Sequence, residues 1–141
     1  MKVKGLDGRQ YSIDHTKYPL QKESRSESQH RVGQALRKLY PTEFICEEFP
    51  CLGAGKLRLD FYIHRINVAI EVDGAQHDAF NEFFHGTRAK FANSQRSDHS
   101  KEEWCEKNNI RIFRIKDEYV KVVDDEFLQK WLQTRIMIHK L

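Results

Sequence analysis

Apolar and polar residues alternate in two neighbouring runs of the segment 57–77. In the first run, Leu57–Ile63, every second residue is apolar, and the same spacing recurs in Val68–Val72. A period of two places the apolar side chains of each run on one face, which is typical of β-strands. The short link His64-Arg65 predicts that the two strands form an antiparallel hairpin.

Acidic residues occupy polar positions of this hairpin. If Ile63 pairs with Ile66, Asp60 lies diagonal to Glu71, at a backbone distance of about 7–8 Å, and Asp73 shares their solvated face. Carboxylates at that distance can bind one metal ion together. The apolar face fixes this register, because a slip by one residue would bury the acids.

A turn and a histidine follow the second strand. Asp73-Gly74 ends the strand, and His77 comes within four residues of Asp73. Its imidazole can take or give a proton near neutral pH, and acids beside such a group favour a hydrolytic metal site. A plainer interpretation stays open, because the same pairing places Arg58 opposite Glu71, and exposed cross-strand ion pairs are common.

Helical spacing of apolar residues predicts three helices. The first, Ser26–Tyr40, begins with an S-x-x-Q capping box that ends at Gln29. The second, Ser97–Asn108, is capped by Ser97 and stops at an Asn-Asn pair. The third is Tyr119–Leu141. Its packing side consists of Phe127, Leu128, Trp131 and Leu132.

The second helix carries two further candidate residues. Asp98 and Lys101 lie on one of its faces, about one turn apart. Each also has an ordinary explanation, since an acid is favourable near a helix N-terminus and a lysine is commonly solvated.

Further strands complete the predicted sheet. Residues 1–20 form a small hairpin around an Asp-Gly turn, Thr42–Phe49 is a strand, and Asp78–Ser97 is irregular. Ile110–Ile115 is apolar on both faces, which predicts a buried central strand. Because a helix precedes it, it runs parallel to Val68–Val72. The fold class is therefore α/β, with a mixed central sheet flanked by helices.

Composition indicates one soluble domain of 141 residues, with a hairpin extension at 1–20, a core at 26–115 and a C-terminal helix at 119–141. No apolar run reaches the length of a membrane-spanning helix, and the N-terminus lacks the apolar centre of a signal peptide. We expect a cytoplasmic protein, in the host cell cytoplasm if the gene is viral. Three cysteines without a CxxC pair predict free thiols.

Positive charge is concentrated in two stretches. The net charge is only +3, but basic residues cluster in Lys22–Lys38 and Arg88–Lys101, on either side of the hairpin. This distribution suits a polyanion whose phosphates approach a bound metal, although an ordinary mixed-charge surface accounts for the charge alone. The candidate DNA-binding residues are Arg31, Arg88, Lys90 and Arg96.

The order of elements and three motifs resemble one nuclease family. The motifs are Leu59-Asp60-Phe61, Ile70–His77 and Asp98–Ile115. Together they resemble the PD-(D/E)xK nuclease superfamily, and more narrowly the very-short-patch repair endonucleases and the EDxHD homing endonucleases of phages. The resemblance implies a restriction-endonuclease-like fold and metal-dependent nuclease activity.

The resemblance also implies roles for individual residues. Asp60 is the metal-binding aspartate, and Glu71 stands at the second acidic position. His77 and Asp98 match the histidine and the final aspartate of the EDxHD pattern.

Two positions depart from the family pattern. Asp73 stands where many members have lysine, and Lys101 is the candidate that replaces this lysine from the helix. The family glutamate on the first helix aligns with Gln29, with Glu27 as the other candidate. These departures keep a second hypothesis open, namely a catalytically weak nuclease-fold module that binds nucleic acid or protein.

The leading hypothesis is a Mg²⁺-dependent endodeoxyribonuclease of the phage homing or nicking type. It would accept Mn²⁺ as well. Its expected partner is DNA and not a membrane, and it would be a monomer or a homodimer. Asp60, Glu71 and Asp73 would hold the metal, and His77, supported by Asp98, would serve as general base or acid.

Overall fold

The computed structural model describes the backbone of residues 1–74 and 88–140, and the side chains of residues 1–74 and 95–138. Along the chain, its elements are β1 (Lys2–Lys4), β2 (Gln10–Ser12), a 3₁₀ turn (His15–Lys17), α1 (Glu27–Leu39), β3 (Ile45–Pro50), β4 (Arg58–Ile63), β5 (Val68–Asp73), α2 (Arg88–Lys107), β6 (Arg111–Lys116), α3 (Asp117–Val122) and α4 (Asp125–Lys140).

A four-stranded sheet with the strand order β3-β4-β5-β6 forms the centre of the fold. β4 is antiparallel to both β3 and β5, and β6 is parallel to β5. The predicted α/β class with a mixed sheet is therefore confirmed. The predicted hairpin within residues 1–20 is confirmed too, as β1 and β2 pair antiparallel in a small sheet of their own.

The prediction that Ile110–Ile115 forms a central strand was wrong. Among the described strands β6 pairs with β5 alone, and it therefore lies at an edge of the sheet. Phe113 and Ile115 pack in the hydrophobic cluster of α1 and α4, whereas Ile112 packs against the cluster of α2. Its two apolar faces reflect helices on both sides of the sheet rather than strands on both edges.

The hairpin of β4 and β5 has a longer turn than predicted. Ile63 pairs with Val68, two residues later than expected, because His64–Asn67 forms the turn. Asn67 has a left-handed φ of 56°, which asparagine tolerates well, and it accepts a hydrogen bond from the Tyr62 hydroxyl at 2.7 Å. A shift of two residues preserves the face of each paired side chain.

Hydrophobic side chains cover both faces of the sheet in two clusters. The first cluster lies against α1, α3 and α4, and its buried members include Val32, Leu36, Phe61, Ile63, Ile70, Val120, Leu128 and Leu132. The second lies against α2 and the N-terminal hairpin, and its buried members include Val3, Phe49, Leu59, Tyr62, Trp104 and the free thiols of Cys46, Cys51 and Cys105. The free thiols agree with the prediction.

The apolar alternation of β4 breaks at Asp60. Phe61 belongs to the first cluster, whereas Leu59 belongs to the second, so the prediction of one apolar face for Leu57–Ile63 was wrong. The break lies where Glu48 of β3 takes a left-handed φ of 53°, between two regular β3–β4 pairs. A non-glycine residue in this region is strained and is held there by its surroundings.

The start of α1 and the end of α2 agree with the predictions, whereas the start of α2 does not. Ser26 caps α1 as predicted, because its side chain accepts a hydrogen bond from the Gln29 amide at 3.1 Å. α2 begins at Arg88, so Ser97 lies inside the helix and does not cap it. Its predicted stop is confirmed, since Asn109 has a left-handed φ of 56° and the Ile110 amide reaches back into the last turn.

The C-terminal region is two helices rather than one. Asp124 accepts a hydrogen bond from the Phe127 amide at 2.9 Å and so starts α4 afresh. Leu128 and Leu132 are fully buried as predicted, but Phe127 is 61% exposed, so its predicted packing role was wrong. Within the described residues, no helix combines the length and apolarity needed to cross a membrane.

Candidate active site

The site lies where β4 and β5 separate. Their ladder ends at the pair Phe61–Ile70, and beyond it two carboxylates bridge the strands. The Asp60 amide donates to Glu71 Oε2 at 2.5 Å, and the Val72 amide donates to Asp60 Oδ2 at 2.8 Å. Each acid is therefore fixed by a main-chain amide of the opposite strand, in place of the missing ladder bonds.

The remaining oxygen of each carboxylate faces a cation. Glu71 Oε1 accepts from Lys101 Nζ at 2.6 Å, and Asp60 Oδ1 accepts from Arg25 Nη2 at 3.1 Å. Lys101 comes from α2, and Arg25 precedes α1. Two acids and two basic side chains thus meet at one point, from four different parts of the chain.

Both acids are buried, contrary to the expectation of a solvated face. Asp60 is 3% exposed and Glu71 is 2% exposed, because helices cover both faces of the sheet here. The expected pair of Arg58 with Glu71 is also wrong, because the register that pairs Phe61 with Ile70 does not place Arg58 opposite Glu71, and Glu71 pairs with Lys101 instead. An exposed cross-strand ion pair therefore does not explain these acids.

Burial shifts the protonation of the group. It raises the pKa of Asp60 to about 7, and the neighbouring Glu71 carboxylate adds to the effect. Burial also raises the pKa of Glu71, against the opposing influence of Lys101. Although burial alone would lower the pKa of Lys101, the Glu71 carboxylate raises it overall. The lysine therefore remains charged near neutral pH, and Asp60 is poised to gain or lose a proton.

Replacing Asp60 by asparagine is expected to stabilise the fold at pH 8. Because the folded pKa of about 7 lies above the ordinary value of 3.8, the folded state holds this proton more tightly, and stability falls as the pH rises through that window. Three pKa units correspond to about 4 kcal/mol, which is the upper limit of the gain because the pKa of Asp60 already includes its contact with Arg25.

Urea denaturation of the wild type and of Asp60→Asn at pH 8 and pH 5 measures this effect. The advantage of the variant should shrink at pH 5, where the wild-type carboxyl is already protonated. A variant that is less stable than the wild type at pH 8 would contradict the assignment.

An open cavity of about 390 Å³ lies over the acid pair. It brings together candidates that are far apart in the sequence. Those among its lining residues are Asp60, Glu71, Asp73, Asp98 and Lys101. His77 lies outside the described residues, and the expectation that Asp98 supports it stays a prediction.

Arg114 of β6 organises the acids on the far side of the cavity. Its guanidinium lies 3.4 Å from Asp73 Oδ2, 2.7 Å from Glu102 Oε1 and 3.9 Å from Asp98 Oδ1. The sequence analysis did not identify Arg114. Its signal was a basic residue in the middle of an otherwise apolar strand, at a position that faces α2.

Gln29 and Glu48 border the site on the side of α1. Gln29 is 1% exposed, and its amide nitrogen donates to Glu47 at 2.8 Å and to Glu48 at 3.1 Å. Its side chain does not return to the helix start, so only half of the predicted capping box forms. Glu27 is exposed and lines a separate cavity of about 650 Å³. Glu48 lines the site cavity and was missed by the sequence analysis.

The two predicted DNA-binding residues whose side chains the structure describes, Arg31 and Arg96, lie on different helices. Arg31 binds the carbonyl oxygens of Val120 and Val123 and pairs with Asp125 at 2.8 Å, which joins α1 to the two C-terminal helices. Arg96 is exposed on α2. Arg88 and Lys90 also belong to α2, and their side chains lie outside the described part of the chain.

Known proteins provide little further information. The chain is 32% identical over 63 residues to "Uncharacterized protein 307L" of Invertebrate iridescent virus 6, which is 45% of this chain and 32% of that protein. It is also 32% identical over 59 residues to "Uncharacterized protein 033L" of Invertebrate iridescent virus 3, covering 42% and 30% of the two chains. The chain thus spans about a third of the length of these curated relatives.

No protein-family profile matches the chain, and no solved structure matches it. Both viral relatives carry names without a function.

Two carboxylates are enough protein ligands for a magnesium ion. In the regions that the structure describes, no group of three or more His, Cys, Asp or Glu is arranged to hold a metal. Mg²⁺, however, typically binds through one or two carboxylates and keeps several waters. Asp60 and Glu71 supply two such carboxylates at a fixed separation beside an open cavity. Asp73, the third predicted ligand, instead lies next to Arg114.

Proposed function

We propose that this chain is a metal-dependent endonuclease that hydrolyses phosphodiester bonds of DNA. The observation that carries the proposal is the buried pair Asp60 and Glu71, with Lys101 Nζ 2.6 Å from Glu71, at the floor of an open cavity. Carboxylates whose pKa is raised by burial, beside a specific charged partner in a cleft, are a feature of catalytic sites.

The architecture supports a restriction-endonuclease-like fold. A helix, three antiparallel strands, a second helix and a strand parallel to the third follow one another as α1, β3, β4, β5, α2 and β6. In this arrangement the acids come from β4 and β5, and the lysine comes from α2 instead of from β5.

Each residue would have a distinct part in the reaction. Asp60 and Glu71 would hold Mg²⁺ or Mn²⁺, which when bound neutralises phosphate charge and lowers the pKa of its water. Lys101 keeps its proton, so it suits contact with a phosphate oxygen or with the attacking water rather than proton abstraction. His77, which the sequence predicts to be supported by Asp98, would transfer the proton to or from the reacting oxygens.

DNA is the substrate that the charge distribution favours. The cavity over the acids also opens beside Lys56, Arg58 and Arg25, which can neutralise phosphates near the reacting one. Both curated relatives are viral proteins, which supports action inside an infected host cell.

Incubation of supercoiled plasmid with the purified chain tests the proposal. Mg²⁺ or Mn²⁺ should produce open circles, or linear DNA if both strands are cut, and EDTA should prevent this. Full activity in both Asp60→Ala and His77→Ala would overturn the assignment of the site.

A second candidate function is a nuclease-fold module that binds without cutting. It is favoured by Gln29, whose amide meets Glu47 and Glu48 where the resemblance implies a glutamate. Calorimetry discriminates between the two. Intact DNA binding without any Mg²⁺ or Mn²⁺ binding at the acids would favour the module.

A further inference from the structure

Arg25 contacts Asp60 with a basic side chain that remains largely open to solvent. Its Nη2 lies 3.1 Å from Asp60 Oδ1, and its Nε lies 3.9 Å from Glu48 Oε1. The Arg25 side chain is 67% exposed, while that of Asp60 is 4% exposed. An exposed guanidinium therefore covers a buried carboxylate from the solvent side.

The position of this contact decides which oxygen a metal can use. Asp60 Oδ2 already accepts the Val72 amide, whereas Oδ1 faces Arg25. A divalent cation that binds Asp60 through Oδ1 would therefore have to displace the Arg25 guanidinium. Lys101 differs, because it is only 15% exposed and is held against Glu71 at 2.6 Å.

We propose that Arg25 is a positioning residue that competes with the metal for Asp60 and, once displaced, binds a phosphate of the DNA. This inference rests on the proposed nuclease function. In the absence of metal, the guanidinium compensates the charge of Asp60. When a divalent cation arrives, the cation takes over that compensation and the arginine side chain is released.

The cavities around Arg25 offer space in which its released side chain could bind a phosphate. It lines both the cavity over the acids and the neighbouring cavity of about 650 Å³ at the start of α1. A guanidinium binds phosphate oxygens through two parallel hydrogen bonds, and the two cavities adjoin at Arg25 and Val72, which line both. The same residue would thus couple metal loading to substrate binding.

Titration of Mn²⁺ by calorimetry, without DNA, provides the first test. Because an ion pair with an exposed partner is weak, Arg25→Ala is expected to raise the Mn²⁺ affinity by about three- to tenfold. The Mn²⁺ affinity of Arg25→Lys should lie between those of the wild type and Arg25→Ala. This variant also provides the test if Arg25→Ala folds poorly. Arg65→Ala is the matched control, since Arg65 pairs with Glu43 at 3.1 Å and is 78% exposed; its Mn²⁺ affinity should equal that of the wild type.

DNA binding in Ca²⁺, used in place of Mg²⁺ to prevent cleavage, provides the second test. Here Arg25→Ala is expected to lower affinity by about three- to tenfold, as befits loss of one phosphate contact. The two readouts therefore change in opposite directions. A merely structural role for Arg25 would weaken both, and that result would overturn the inference.

The controls separate this inference from the proposed function. If the wild type binds Mn²⁺, Asp60→Asn abolishes that binding and Arg25→Ala leaves it unchanged or weaker, the role of Arg25 is wrong and the metal site stands. If neither the wild type nor Arg25→Ala binds Mn²⁺, both the metal-dependent function and the role of Arg25 are wrong.

Discussion

Replacing Glu71 by glutamine is expected to lower the rate of DNA cleavage by at least about a thousandfold, equivalent to roughly 4 kcal/mol of transition-state stabilisation. Glutamine has nearly the same shape, and its carbonyl oxygen can still accept the Asp60 amide. It lacks the negative charge, so Asp60 alone would remain to hold the metal. The measurement is the single-turnover rate of plasmid nicking at saturating Mn²⁺.

Glu102→Gln is the matched control for this variant. Glu102 is also on the α2 side of the sheet and contacts Arg114 at 2.7 Å, but it is half-exposed and does not contact Asp60 or Lys101 in the described contacts. The rate of plasmid nicking by Glu102→Gln should lie within a few-fold of the wild-type rate. A Glu71→Gln protein that keeps more than a tenth of the wild-type rate would contradict the metal-binding role of Glu71.

Replacing Lys101 by methionine is expected to destabilise the fold by about 3 kcal/mol or more at pH 8, because it leaves a buried carboxylate without its cation. Glu71 is 2% exposed, and hydration by water cannot replace the lysine. Burial already raises the pKa of Glu71, and loss of Lys101 raises it further. The deficit should therefore shrink as the pH falls towards 5, where Glu71 gains a proton.

Urea denaturation at both pH values measures the loss, and two further variants interpret it. Lys121→Met removes an exposed lysine that pairs with Asp117 one helical turn away, and it should change stability little. The double variant Glu71→Gln, Lys101→Met removes both buried charges and should recover most of the stability. Equal stability of Lys101→Met and wild type would show that the pair is not structurally important.

Most of the fold follows from local patterns in the sequence. The alternating apolar residues of β5, the cap at Ser26 and the left-handed stop at Asn109 depend on neighbours within a few residues. The errors arise where distant contacts decide. β6 was predicted to be central because both of its faces are apolar. These faces pack against helices on the two sides of the sheet, and the sequence of the strand does not show this.

The hairpin register shows how a local rule was overridden. Two residues, His64-Arg65, suffice for a tight turn, but Asn67 extends the turn to four residues. Its side chain accepts from Tyr62 and donates to the carbonyl of Asn109 at 2.6 Å. Contact with the end of α2 therefore helps to fix the turn, and no pattern within the hairpin could reveal it.

The acids of the candidate site were identified from the sequence, but their environment was not. Asp60 and Glu71 were expected on a solvated face, and the structure buries both. Burial results from α2, which brings Lys101 to Glu71, and from the chain before α1, which brings Arg25 to Asp60. Arg25 was missed because it is separated from Asp60 by 35 positions and belongs to no motif.

The crossed hydrogen bonds between the two strands bear on how such a site persists during evolution. The backbone supplies the donors at Asp60 and Val72, and ordinary substitutions at other positions leave them in place. Substitutions elsewhere in the interior would therefore leave the spacing of the carboxylates unchanged for as long as the hairpin folds.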